Sequence, residues 1–272
     1  MTAASQMSGK IRRIRLRPIA LPVEHGGWGL LFEPIVLGLL LAPTLAGLLL
    51  SVAATGAFLA RHPFKLAVAD WRRNRSSRRS VLAGRFAILY FVLSTVALAL
   101  AVKIGGGDLL LPLLLAAPIV LIQLTYDSLG SSRALIAELA GSVSIGAVAT
   151  AIAIGGDLPR PAAYGLWAIL AARTVPTILY VRARLRLLRR KSASPLIAII
   201  AHIIAILIVI GLAWASAVPD LTVAALVILL LRALIGFSRF DKEVTAKKLG
   251  LRELCFGTMT VFVVVLGHSM GW

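Results

Sequence analysis

Apolar residues in this chain come in long blocks separated by short polar links, without the residue-by-residue alternation of a pore-lining strand. Nine blocks stand out, over 26–43, 44–64, 82–103, 108–127, 134–155, 162–181, 195–216, 219–237 and 253–271. Several reach the roughly 20 apolar residues needed to cross a bilayer, and an open chain in lipid satisfies its backbone only as a helix. The expected fold is therefore all-α. It is a polytopic bundle of about nine transmembrane helices, a single domain over 21–272 that follows a basic tail over 1–20. Tight links such as Ala42-Pro43-Thr44 and Ala217-Val218-Pro219-Asp220 predict helical hairpins on one side, while the links on the other side are longer and polar. Gly141, Gly146 and Ala149 in the fifth block predict a helix that packs closely on its neighbours.

Charge fixes how such a bundle lies. Of 29 Lys and Arg residues, all but Lys103, Arg160, Arg173 and Arg232 fall on the N-terminal tail or on alternate links. The positive-inside rule then places the N-terminus in the cytoplasm and, with nine spans, the C-terminus outside. The net charge of +18 would suggest nucleic acid in a soluble domain, but here it reads as a face for anionic lipid headgroups, and no nucleic acid is expected. With 59% hydrophobic residues the chain is no soluble domain. Cys255 is the one cysteine, which excludes a disulfide framework and a thiolate metal site. The apolar run after the basic tail is too long for a signal peptide and reads as a retained first helix.

A faint internal echo divides the chain into halves over 21–131 and 132–250 plus a terminal helix. Ala60-Arg61-His62-Pro63 resembles Ala172-Arg173-Thr174-Val175-Pro176, and Arg133 with Glu138 resembles Lys248 with Glu253. In a duplicated bundle, a site at the junction of the halves is the natural expectation.

Candidate chemistry lies in the polar residues that enter the blocks. Glu24 and His25 stand where the first helix enters the membrane, and Glu33 lies deeper, where a carboxylate is costly unless a cation or a cavity meets it. His62, Lys65 and Asp70 cluster at the inner end of the second block, and Tyr126, Asp127, Arg133 and Glu138 around the fourth junction. Arg173, Tyr180, Arg182 and Arg186 follow on the sixth, then Arg232, Arg239, Asp241 and Lys247. Arg173 and Arg232 lie inside apolar blocks and need buried partners, for which Glu33, Asp127 and Glu138 are available. His202, alone on an apolar face, reads as a packed core histidine. No phosphate loop, dinucleotide fingerprint, GxSxG or HExxH is present, and no His/Cys set has metal-ligand spacing.

Leu21-Pro22-Val23-Glu24-His25-Gly26-Gly27-Trp28, followed by Glu33-Pro34 and Gly38, resembles the opening of the YwiC-like family of bacterial membrane proteins. Arg173-Thr174-Val175-Pro176, Tyr180-Val181-Arg182-Ala183-Arg184 and Lys247-Lys248-Leu249-Gly250 with Glu253 fit the same family. This resemblance implies a bacterial plasma-membrane protein and no particular activity.

More distantly, the nine helices, the polar inner links, the junction of Tyr126, Arg133, Glu138 and Gly141, and the closing Lys-Lys-Leu-Gly resemble the UbiA superfamily of intramembrane prenyltransferases. That resemblance implies a UbiA-like bundle whose two aspartate-rich motifs hold magnesium and an isoprenyl diphosphate. The matching stretches here run from His62 to Asp70 and from Tyr180 to Arg184; Asp70 is their only carboxylate and the second is basic. Magnesium needs oxygen ligands, so no cofactor is expected; Asp70, Asp127 and Asp241 are the fallback ligands. What the resemblance leaves is a metal-free anion site on the cytoplasmic side. Arg61, Lys65, Arg173, Arg182 and Arg239 would converge there on an isoprenoid or lipid phosphate. An enzyme of this kind would be a divergent transferase. The alternatives are a transporter with an intramembrane charge path through Glu33, Arg173 and Arg232, and an assembly factor without chemistry.

Overall fold

A computed structural model describes residues 16–21, 25–73, 78–238 and 245–270, and these are helical with no strand among them. The helices are α1 (Arg17–Ala20), α2 (His25–Leu41), α3 (Leu45–Arg72), α4 (Arg78–Gly105), α5 (Leu110–Ser128), α6 (Leu135–Ile154), α7 (Arg160–Leu188), α8 (Leu196–Trp214), α9 (Leu221–Ser238) and α10 (Ala246–Ser269). A short 3-10 turn, Gly107–Leu109, leads into α5.

Eight of the described helices, α3 to α10, are long and apolar enough to cross a membrane. The first expected span is the exception. Helix α2 has 17 residues, about 25 Å at 1.5 Å per residue, against roughly 30 Å of hydrocarbon. It ends at Leu41, short of the expected 43, because the chain restarts at once: Thr44 caps α3, its hydroxyl accepting the Gly47 N–H at 3.1 Å. The bundle thus has eight full-length helices and one short apolar one among the described residues.

That short helix is nevertheless central. It packs between α6 and α10 and touches α3. Helices α6 and α7 form the middle of the molecule, each with more than half of its span buried. Ala147, Ala149, Ala151 and Ala153 of α6 are fully buried, so the small residues bring neighbouring backbones close, as expected for this block. At the edges, α4 packs mainly on α3 and turns Ile88, Phe91 and Val96 outward, and α8 does the same with Ile197, Ile204 and Leu207. Those faces suit lipid. Trp71 and Trp214, both strongly exposed, end α3 and α8 at opposite ends of the bundle, where amphipathic rings anchor a protein at the headgroups.

The two ends differ in charge. One carries Arg61, Arg72, Arg133, Arg182, Arg186 and Lys191, while the other holds an exposed pair, Arg160 with Asp108 at 2.7 Å.

Candidate functional site: a buried charge network and a cleft at the basic end

Four ionisable side chains from four helices meet inside the bundle. Arg173 on α7 donates from Nη1 to Glu33 Oε2 on α2 at 2.6 Å, and from Nη2 to the Glu253 carbonyl on α10 at 2.9 Å. Arg232 on α9 donates from Nη1 to Glu253 Oε1 at 3.0 Å and from Nη2 to Thr177 Oγ1 at 3.3 Å. Its guanidinium lies 4.3 Å over the Tyr180 ring and 5.4 Å from that of Phe256. Two carboxylates and two guanidiniums leave the set neutral. Glu33 and Arg173 each sit near a helix-internal proline, Pro34 and Pro176, which removes one backbone hydrogen bond locally.

The network is tightly enclosed. Arg173 is only 3% exposed and Glu33 9%. A Cβ at position 257 would overlap the Glu33 carboxylate, so only glycine lets α10 approach α2 this closely. The crevice beside Glu33 and Arg173, lined by Leu37, Ile169, Val261 and Val264, has no room for a water molecule. Arg173 Nε, Arg232 Nε and Glu253 Oε2 are buried without a hydrogen-bond partner. Such an arrangement holds helices together and leaves no space for a substrate.

At the basic end, α3 and α5 build a different site. Arg61 Nε and Nη2 grip Asp127 Oδ2 and Oδ1 at 2.5 and 3.0 Å, a bidentate fork. The Gln123 amide oxygen, turned to the guanidinium, accepts from Nη1 at 3.0 Å. A Cβ at position 141 would collide with the Gln123 amide, so Gly141 on α6 makes room for it. One turn along, Lys65 Nζ donates to Ser132 Oγ at 2.5 Å and has no carboxylate within ion-pair range among the described residues. Arg72 donates to the Ser128 carbonyl, and His62 Nε2 lies 3.1 Å from the Pro18 carbonyl, tying α1 to α3. Between these groups lies a cavity of about 80 Å³ lined by Arg61, Lys65, Asp127, Ser128 and Gly130 and by apolar Phe64, Val68, Ala69 and Leu124.

The remaining candidates scatter. Arg182 donates to Glu138 at 2.6 Å and to the Arg133 carbonyl at 3.0 Å, a half-exposed cluster on α7 and α6. Tyr126 is half-buried at the end of α5, Lys247 is exposed, and Asp70 accepts from Ser80 at 2.9 Å. Glu24, Arg239 and Asp241 lie outside the described residues, as does the His25 side chain. Among the described residues no three His, Cys, Asp or Glu come together.

Arg61, Arg173 and Arg182 therefore do not share one anion. Each holds a carboxylate of its own, Asp127, Glu33 and Glu138 in turn, because cations gathered in low dielectric repel unless neutralised. Glu33 is the partner of Arg173, one of the pairings the sequence leaves open. The partner of Arg232 is instead Glu253. Both members of each sequence echo act alike: Arg61 and Arg173 bind carboxylates of other helices, and Glu138 and Glu253 bind arginines. Gln123, Ser132 and Thr177 lie outside the candidates that the sequence indicates. Gln123 is legible there, since it precedes Asp127 by four residues and shares its helix face.

The fold and its one-sided charge define a multi-pass α-helical membrane protein. Residues 21–153, just under half of the chain, match the family described as YwiC-like protein. The matched part contains Glu33, Arg61, Asp127 and Glu138 and stops short of Arg173, Arg232 and Glu253. No curated protein and no solved structure matches the chain.

Proposed function

We propose that this is a bacterial plasma-membrane protein of the YwiC-like type that binds the phosphate of an isoprenoid or other lipid at its basic face. In this reading the basic face is cytoplasmic, as the positive-inside rule requires, and meets anionic headgroups. The binding place is the cleft between α3 and α5. Lys65 carries the argument: it lines a cavity, its ammonium meets a hydroxyl and, among the described residues, no carboxylate, and four of the nine lining residues are apolar. An amphiphile with an anionic head satisfies both walls at once. Arg61, fixed by Asp127 and Gln123, supplies a pre-oriented second cation. A divergent UbiA-like transferase would use the same cleft for its phosphate, without the usual magnesium ligands.

A second reading, a permease with a charge path through Glu33, Arg173 and Arg232, draws on the buried network. Against it, Leu37, Val218, Leu226 and Val264 pack into one apolar cluster on the side away from the basic end. A non-catalytic assembly factor would need neither cleft nor path.

The deciding experiment is native mass spectrometry of the protein extracted from its own membrane in mild detergent. The expected result is a retained phosphate-bearing lipid on the wild type that is lost from Lys65→Ala. Equal retention by both, or none by either, overturns the reading.

A further inference from the structure

The lipid-phosphate reading leaves open which group the phosphate carries beyond the lipid, and the shape of the cleft bears on this. Its volume is about 80 Å³, space for a few water molecules or one tetrahedral oxyanion. A phosphate seated there takes up most of that space and leaves none within the cleft for a glycerol, sugar or inositol beside it. The charge points the same way. Arg61 and Lys65 line the cleft against Asp127, the one carboxylate among its described lining residues, which leaves a surplus of one positive charge. Arg72, behind the wall at the Ser128 carbonyl, adds a second. A phosphate monoester carries close to two negative charges at neutral pH, a diester only one.

The way in is lateral. Helices α3 and α5 barely touch, and Phe64, half exposed, lines the cleft with Val68 and Leu124, an apolar edge suited to lipid. Trp71, further along α3 towards its end, marks the headgroup level. A lipid seated this way keeps its chains in the bilayer along α3 and α5, with only its terminal phosphate in the protein. No tunnel through the bundle is required.

We propose, resting on the lipid-phosphate reading, that the cleft selects lipids ending in a phosphate monoester, such as phosphatidic acid or a polyprenyl monophosphate, over lipids whose phosphate is a diester. Lys65 is the group that the monoester's extra charge meets; Ala69, in the cavity wall, sets how much can enter.

The test uses the full-length protein in detergent, with dioleoyl phosphatidic acid, dioleoyl phosphatidylglycerol and inorganic phosphate as probes and bound mass as the readout. Phosphatidic acid should bind at least tenfold more tightly than phosphatidylglycerol, and inorganic phosphate far more weakly than either. Lys65→Ala should remove the preference. Ala69→Phe, which fills the cavity without touching a charge, should remove it as well and carries the test if Lys65→Ala does not fold. Equal binding of the two lipids, still dependent on Lys65, overturns the monoester selectivity and leaves the lipid-phosphate reading standing. Binding of neither lipid, or binding indifferent to Lys65, overturns both. Inorganic phosphate as strong as phosphatidic acid overturns the lateral lipid and makes the cleft a site for a free anion.

Discussion

Around Arg173, two cations and two carboxylates from α2, α7, α9 and α10 neutralise one another in a space that admits no water. Around Lys65, a cation meets one hydroxyl among the described residues, beside an open cleft. Both regions put charge at a membrane protein's interior or rim, where desolvation is costly. In the first the protein supplies the counter-charges itself and closes the space, which makes the charges structural fasteners. In the second it leaves a surplus and keeps the space open, which is what a ligand site needs. Counting charges alone would not separate them. Room and balance do.

The contrast breaks most readily at Glu33. Replacing it by Gln leaves Arg173 buried beside a neutral amide, and a buried ion stripped of its partner costs about 3–5 kcal/mol. Thermal unfolding in detergent should show a large fall in Tm for Glu33→Gln, and much of it should return in Glu33→Gln/Arg173→Met, where both charges are gone. A Gln variant as stable as the wild type would mean that the network is no fastener. A smaller effect, about 1–3 kcal/mol as for an overpacked core, is expected for Gly257→Ala, whose methyl group displaces the Glu33 carboxylate. Gly141→Ala should cost less, because the obstacle there is the end of the flexible Gln123 side chain; the reverse order would put the rigid site at the cleft. The smallest effect belongs to Arg160→Ala at the opposite end. Its pair with Asp108 is exposed on both sides, and such pairs contribute roughly 0–1 kcal/mol, so its Tm should stay within about two degrees of the wild type.

Much of the fold is legible in the sequence because a bilayer imposes length and composition on every span. Eight of the nine apolar blocks are full-length helices, and the fifth packs as its glycines and alanines indicate. The first helix is shorter than its block because hydropathy runs through Ala42 and Pro43, whereas the Thr44 cap decides where the next helix starts. The site is legible in part. A carboxylate and an arginine at membrane depth must find partners, and Glu33 and Arg173 find each other. Glu253 echoes Glu138 near the start of the last block, but one-dimensional spacing gives no sign that α10 folds back against α9. The expected convergence of Arg61, Arg173 and Arg182 fails for the same reason. Sequence tells how many cations face one way, but not which helix brings a carboxylate to each.

Glu33 and Arg173 are 140 residues apart, and that separation has a temporal meaning. At the ~5–20 residues per second of protein synthesis, α2 leaves the ribosome roughly seven to thirty seconds before the arginine that neutralises it. During that interval a 17-residue helix with a carboxylate at its middle has no cation to meet in the lipid. Its short span and its acid both favour a waiting position at the membrane surface or beside the insertion machinery. Helix α2 then reaches the centre of the bundle only once α6 and α7 exist to receive it, and Arg232 stays without its carboxylate until α10 arrives. Assembly of this protein is thereby ordered by its charges, with the short helix α2 among the last to take its place.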